Sequence, residues 1–278
     1  MFNHRHYVPI LKLKRGERRA LSLILPTDAA HITPLFEIAD ANFDPTPGNT
    51  IDADFDSRIS LIAANIAQCW PNPTGVFIDG LLIEPTALVA GTTHPVTRVF
   101  DDARALGLSA VPVTGLGRDA AYQGAVAAIA AIDGRGAAIR ITLEDLAVTT
   151  LGQSIDALLT KLSLTSKQCH LILDLEEINE PLSPLVLAIR HTINIFPYLN
   201  NWLSFTIAAA AFPPDLTSVA VGVGLIPRLD WLLYQQFVSQ PMNRIPSFGD
   251  YTTRHPEMFD GDPAVINASC KHSVHCSK

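Results

Sequence analysis

Apolar runs that end abruptly on a charged residue recur along the chain. "YVPILKLK" runs out at Lys12 and Lys14, "ITPLFEI" at Glu37, "GVFIDG" at Asp79 and "AAIRIT" at Arg140. "CHLILDLEEINEPLSP" passes from Leu171, Ile172 and Leu173 straight to Asp174, with Glu176 and Glu177 behind it. Short apolar runs bounded by turn residues predict buried strands. They fall at Tyr7 to Lys12, Ile32 to Ile38, Val76 to Ile78, Ala110 to Thr114, Ala137 to Ile141, Leu171 to Asp174 and Leu203 to Ile207, with a weak last one near Phe248. The intervening segments repeat apolar positions at helical steps, as in Ile59, Ile62, Ala63 and Ile66. They predict helices over Glu17 to Leu25, Asp56 to Gln68, Val96 to Leu106, Asp119 to Ile132, Ser154 to Leu162, Leu185 to Ile195 and Leu229 to Val238.

Alternating strands and helices imply a parallel sheet, because parallel neighbours need a crossover and a helix supplies it. An open doubly wound sheet uses fewer strands than are present here, and the strand count favours a (β/α)8 barrel of the TIM type. Pro9, Pro34 and Pro112 fit this reading as first residues of strands, where no ladder hydrogen bond is needed. The pattern of charged strand ends then has a physical reason. The C-terminal ends of barrel strands open into the mouth, where side chains meet water or ligand. Lys12, Lys14, Glu37, Asp79, Arg140 and Asp174 converge there as a ring of mixed sign, able to pair internally or to grip a polar ligand.

Composition narrows the function classes. The chain has 278 residues, 48% of them hydrophobic and 17% charged, enough to bury a sizeable core. A net charge of -7 argues against a general nucleic-acid or anionic-membrane surface. "AAYQGAVAAIAAI" is too short to span a bilayer, which takes about 20 apolar residues. The N-terminus lacks the unbroken apolar core of a signal peptide. Four cysteines without framework spacing suit a reducing cytoplasm.

The two ends of the chain carry a resemblance. "YVPILKLKRGERRAL", "ITPLFEI", "LIPRLDWLLYQQF" and "PSFGDYTTRHPE" resemble the bacteriophage beta protein family. The motifs are the Gly16-Glu17 pair, Pro34-Leu35 with Glu37, Pro227-Arg228, and Phe248-Gly249-Asp250-Tyr251, with the match running through about His255. The resemblance implies a phage or bacterial protein and brings no settled activity with it. Residues 1–258 are expected to form one barrel-like domain. Members of the family generally continue past the Gly-Asp-Tyr motif, so residues 259–278 read as an atypical tail, and the resemblance leaves open whether the last barrel elements are complete.

Several constellations invite chemistry. Glu37, Asp79, Asp174 and Asp250 could hold a hard divalent ion while Lys12, Lys14 and Arg140 neutralise a phosphate, which would amount to metal-assisted phosphoester hydrolysis. Without a metal, a carboxylate could act as general base beside a basic partner. "VTGLGRDAAYQG" places Gly115, Gly117 and Ala120 after a strand and at a helix start, near the dinucleotide fingerprint, although a tight turn accounts for the glycines as well. Asp250, Tyr251 and His255 join the candidate ligand-binding set with Lys14, Gly115 and Gly117. Cys270, His272, His275 and Cys276 are zinc-ligand types but are crowded at a terminus. His94 and His255 precede prolines in loops. Ala39 to Asp54 reads as a long polar loop at the mouth face, suited to a lid or a partner surface. Trp231, Tyr234 and Phe237, at helical spacing, read as core. Two function classes remain: a protein with a site for a polar or phosphorylated small molecule, and a non-enzymatic module, phage or host-defence associated, that holds a protein partner.

Overall fold

The computed structural model describes residues 2–39, 55–71, 74–178, 182–214 and 224–257. Eight parallel strands close into a barrel in chain order. They are β1 (Tyr7–Leu11), β2 (Leu35–Ala39), β3 (Val76–Leu82), β4 (Ala110–Thr114), β5 (Ala137–Thr142), β6 (Cys169–Glu177), β7 (Phe205–Ala210) and β8 (Ser247–Asp250). The last strand pairs with β7 and returns to β1 through Tyr7↔Phe248, Val8↔Gly249 and Pro9↔Asp250, so the barrel has no open edge. Among the described residues the helices are α1 (Arg15–Leu21), α2 (Pro26–Ala29), α3 (Phe55–Cys69), α4 (Pro95–Ala105), α5 (Ala120–Asp133), α6 (Leu143–Leu146), α7 (Leu151–Leu162), α8 (Leu182–Asn194) and α9 (Leu229–Val238).

Strand alternation divides the core in two. Val8, Ile10, Leu35, Phe77, Val113, Ala138, Ile172 and Ala208 point into the barrel and pack on one another. Their sequence neighbours, such as Leu11, Phe36, Ile78, Ile139, Leu173 and Ile207, face the helical ring in a larger cluster. β2 and β7 are buried along their whole length, which is why they read as unbroken apolar runs. The helices begin and end on local signals. The Asp119 carboxylate caps α5 by accepting from the amides of Ala121 and Tyr122, and Gly134 ends it with φ of 64°. His94 caps α4 through Nδ1, which accepts from the Val96 amide.

Three details depart from the sequence reading. The helix expected over Glu17 to Leu25 ends at Leu21 as α1, and the chain re-enters a helix only at Pro26, which opens α2 and holds Leu25 extended. Pro9 and Pro112 lie inside β1 and β4, not at their starts, paired in register with Asp250 and Ile78. Each faces outward and costs its strand at most one rung of the ladder. β6 extends to Glu177, well past Asp174. Tyr234 and Phe237 are core residues as expected, while Trp231 is half exposed and stacks on Tyr234. Residues 40–54 of the long polar loop and the tail cysteines and histidines fall outside the described residues.

Candidate functional site

The charged strand ends are first of all turns. Asp79, Asp174 and Asp250 each accept, through Oδ1, a hydrogen bond from the amide two residues on: Leu81 at 3.0 Å, Glu176 at 3.0 Å and Thr252 at 2.9 Å. A carboxylate that ends a strand therefore also folds the chain back. The register of β2 against β3 shifts between Glu37 and Ala39, and that of β6 against β7 between Asp174 and Glu177. Glu176 takes a left-handed φ of 54° in the second shift. Such irregularities at a barrel rim re-aim side chains.

Inward alternation continues past the apolar layer and carries Lys12, Glu37, Asp79, Arg140, Asp174 and Tyr251 into the barrel, each at most 5% exposed. Arg140, from β5, is the hub. Nη1 donates to Asp79 Oδ2 at 2.8 Å, Nη2 to Glu37 Oε1 at 2.8 Å, and Nε to Asp174 Oδ2 at 2.8 Å. Nη2 also reaches Asp174 and donates to the Tyr251 hydroxyl, which in turn donates to Asp174 Oδ2. Asp79 is held from a second side by Arg118 Nη2, at 2.9 and 3.0 Å from its two oxygens. The Tyr122 hydroxyl, at 3.3 Å from Asp79, donates to the Val113 carbonyl and accepts from the Gly80 amide. Gly80 is required there: a Cβ would stand 2.6 Å from Val96 Cγ2 and 3.1 Å from the Tyr122 ring.

Lys12 lies beside Glu37, since Leu11 pairs with Phe36 one residue earlier. Its ammonium donates to the carbonyls of His255, Pro256 and Glu257, at 3.2, 2.6 and 3.2 Å. The segment after β8 thus lies over the mouth, tied down by Lys12 and by Tyr251. His255 Nδ1 accepts from the Glu257 amide, which puts its proton on Nε2, 3.4 Å from Glu177 Oε2 without hydrogen-bond geometry. Glu17 supports the other flank: its Oε2 accepts from the amides of Lys12 and Lys14 as the chain turns into α1.

Burial dominates the electrostatics. It pushes the Glu37 carboxyl above the usual range, only partly offset by Arg140 and Lys12. It also depresses the Lys12 ammonium, against the opposing pull of Glu37. For Arg140 burial opposes the charge, yet Tyr251, Asp174, Glu37 and Asp79 together hold it firmly protonated. Burial raises the Tyr251 phenol well above its ordinary value. Among the described residues one polar atom around Arg140 is left over, Glu37 Oε2, which is buried and has no hydrogen-bond partner; Glu17 Oε1 and His255 Nε2 at the edge of the cluster are left over as well.

The sequence expectation that Asp250 joins the mouth carboxylates is corrected by strand geometry. Tyr251 and Gly249 face inward, so Asp250 faces outward. It accepts from the Tyr7 hydroxyl at 2.6 Å and pairs with Arg228, which also grips Asp230. This second cluster lies between the barrel wall and the start of α9. Lys14 sits half buried at the rim, ahead of α1. Gly115 is close to the mouth, with no room for a Cβ against the Arg140 carbonyl, whereas Gly117 faces open space. The first amides of α5, which a phosphate would need, are taken by Asp119. Among the described residues no group of three or more His, Cys, Asp or Glu is placed to hold a metal ion. A guanidinium stands where the carboxylates converge.

Arg118, Tyr122, Tyr7 and Arg228 were not among the candidate residues. Arg118 and Tyr122 lie inside "VTGLGRDAAYQG", where the glycines drew the reading; a cation just past a strand end, followed four residues on by a tyrosine, was the available signal. The motifs that carry the family resemblance land on these clusters. Glu17 braces Lys12, Glu37 and Tyr251 bind Arg140, Arg228 and Asp250 pair, and Gly249 leaves room beside the Val8 carbonyl, 2.9 Å from where a Cβ would be. The chain belongs to the Beta protein family, whose model matches residues 7–272. That match runs past residue 258, into the segment read as a tail. No curated protein matches the chain.

Proposed function

We propose that this Beta family protein takes up a polar or phosphorylated small molecule at the barrel mouth, with Glu37 and Lys12 meeting it and the segment Tyr251 to Glu257 covering it. The observation that carries the reading is Glu37 Oε2, buried and without a hydrogen-bond partner among the described residues, while the other carboxylate oxygens around Arg140 are all bonded. Buried ion networks are often no more stable than apolar packing of the same volume. A carboxyl oxygen left there without a partner is a standing cost, and a ligand that donates to it removes that cost.

Lys12 completes the site. Among the described residues its ammonium donates to main-chain carbonyls of the covering segment, so lifting that segment bares a cation beside an acid. An ammonium suits a phosphate or another anion, and a carboxyl whose pKa burial has raised keeps its proton longer and can pass it to a bound ligand. Metal-assisted phosphoester hydrolysis fits the residues less well. Among the described residues, every oxygen of Glu37, Asp79 and Asp174 except Glu37 Oε2 already accepts a hydrogen bond. What Glu37 and Lys12 offer a ligand is proton transfer and charge. Among the described residues no helix is long and apolar enough to cross a membrane, and two buried free thiols, Cys69 and Cys169, accord with a cytoplasmic setting.

The test is a set of thermal melts against inorganic phosphate, nucleotides and sugar phosphates, with Lys12→Gln alongside. At least one compound should raise the melting temperature of the unmodified protein and lose that effect in the variant. If none moves the melt at millimolar concentration, the mouth is not such a site.

A further inference from the structure

The end of the barrel opposite the mouth contains a cavity of about 490 Å³, within the ~300–1,000 Å³ range of small-molecule sites. We propose that it is a second binding site, for a small flat apolar acid such as an aromatic carboxylate. Its floor is the lowest inward layer of the barrel. Phe77 from β3 and Val111 from β4 line it, and Phe2 lies across it, with its ring 6.3 Å from that of Phe77 and stacked at 3.9 Å on His6. His170 of β6 also points inward, edge-on to Phe77 at 5.0 Å. Its Nδ1 is bonded to Ser204 Oγ at 2.8 Å, which leaves the other ring nitrogen for the cavity. Burial lowers the His170 pKa to about 4, so at neutral pH the ring is an uncharged hydrogen-bonding group.

The rim supplies the charge. Arg135 and Lys167 both line the cavity, and neither has a hydrogen bond or ion pair among the described residues. They are aligned by the fold: each stands two residues before its strand, and the strands start in register at Ala137↔Cys169. The two segments are also in close contact. Gly136 has a φ of 68°, and a side chain there would collide with the Gln168 carbonyl. The carboxylate next in sequence, Asp133, is already paired with Arg104. A protein of net charge -7 thus places two cations, neither paired among the described residues, on the rim of one cavity with an aromatic floor. A carboxylate between them relieves their repulsion while its apolar body covers the rings. Inorganic phosphate would answer the cations and leave the floor bare. Barrel enzymes carry their chemistry at the other face, so the site is assigned binding and no catalytic step.

Isothermal titration with 1-naphthoate and its neutral amide tests the assignment, using the unmodified protein, the double variant Arg135→Glu with Lys167→Glu, and Ser109→Trp, which fills the cavity. Both cationic residues are exposed, so the double variant keeps the fold, checked by its melting temperature. The expected result is naphthoate binding that weakens about tenfold or more in the double variant and is lost in Ser109→Trp, with weaker amide binding indifferent to the charge reversal. No naphthoate binding at millimolar concentration, or binding that the charge reversal leaves unchanged, overturns the proposal.

Discussion

Arg140 shows how much of the mouth depends on one side chain. Its planar fork serves Glu37, Asp79, Asp174 and Tyr251 at once, a task no lysine geometry can repeat. Arg140→Met takes the guanidinium away from three buried carboxylates, leaving Asp79 to Arg118 and Asp174 to Tyr251, and chemical denaturation should show a loss of about 3–5 kcal/mol; Arg140→Lys should recover only part of it. Glu37 behaves differently. Its pKa is raised in the folded protein, so the native state holds that proton more tightly than the unfolded chain does. The favourable contribution is complete below the ordinary carboxylate pKa and is lost as pH rises through the folded value. At neutral pH, Glu37→Gln should therefore melt at the same temperature or higher, whereas Asp174→Asn, which gives up charge-assisted bonds to Arg140 and Tyr251, should lose about 1.5–3 kcal/mol. The charges themselves were legible in the sequence because each interrupts an apolar run. Their partners were not, since Tyr251 and Arg140 are 111 residues apart and meet only when the barrel closes.

At the scale of elements, the strands and helices were legible because burial imposes periodicity, while boundaries and facing were less so. β6 was read short: its last turns of alternation carry acids that face the mouth, and an acid looks like an end. Asp250 was read into the mouth because a strand of four residues shows too little alternation to reveal its face. A shift of one residue reverses every side chain, and only pairing with β1 fixes it. The contact between β3 and α5 also escapes sequence reading, though it orders the site. Gly80→Ala would force a methyl against Val96 and Tyr122, and such overpacking costs about 1–3 kcal/mol. The melting temperature should fall, and the near-ultraviolet circular dichroism of Tyr122 should change with it.

For the whole molecule, the two ends of the barrel respond oppositely to acid. At the base, His6 and His170 have pKa values lowered to about 4, first of all by burial. Between the ordinary histidine value and about 4 the unfolded chain takes up protons that the native state refuses, so stability is lost as pH falls through that window. At the mouth, burial raises Glu37 and Glu17, which gain stability in the same direction of pH. The two effects separate in a variant: the stability advantage of the unmodified protein over His170→Asn should shrink between pH 7 and pH 5. The architecture was legible from the count of strand and helix units, and the closed barrel confirms it; what the mouth does was not, because a mixed-sign ring reads alike whether it is inert or poised. The measurement that decides between these is a melt of Glu37→Gln beside the unmodified protein, with and without the phosphate compounds. The expected result is a variant at least as stable that no longer responds to a compound stabilising the parent. A variant that melts several degrees lower, beside a parent that no compound moves, would make the cluster purely structural and contradict it.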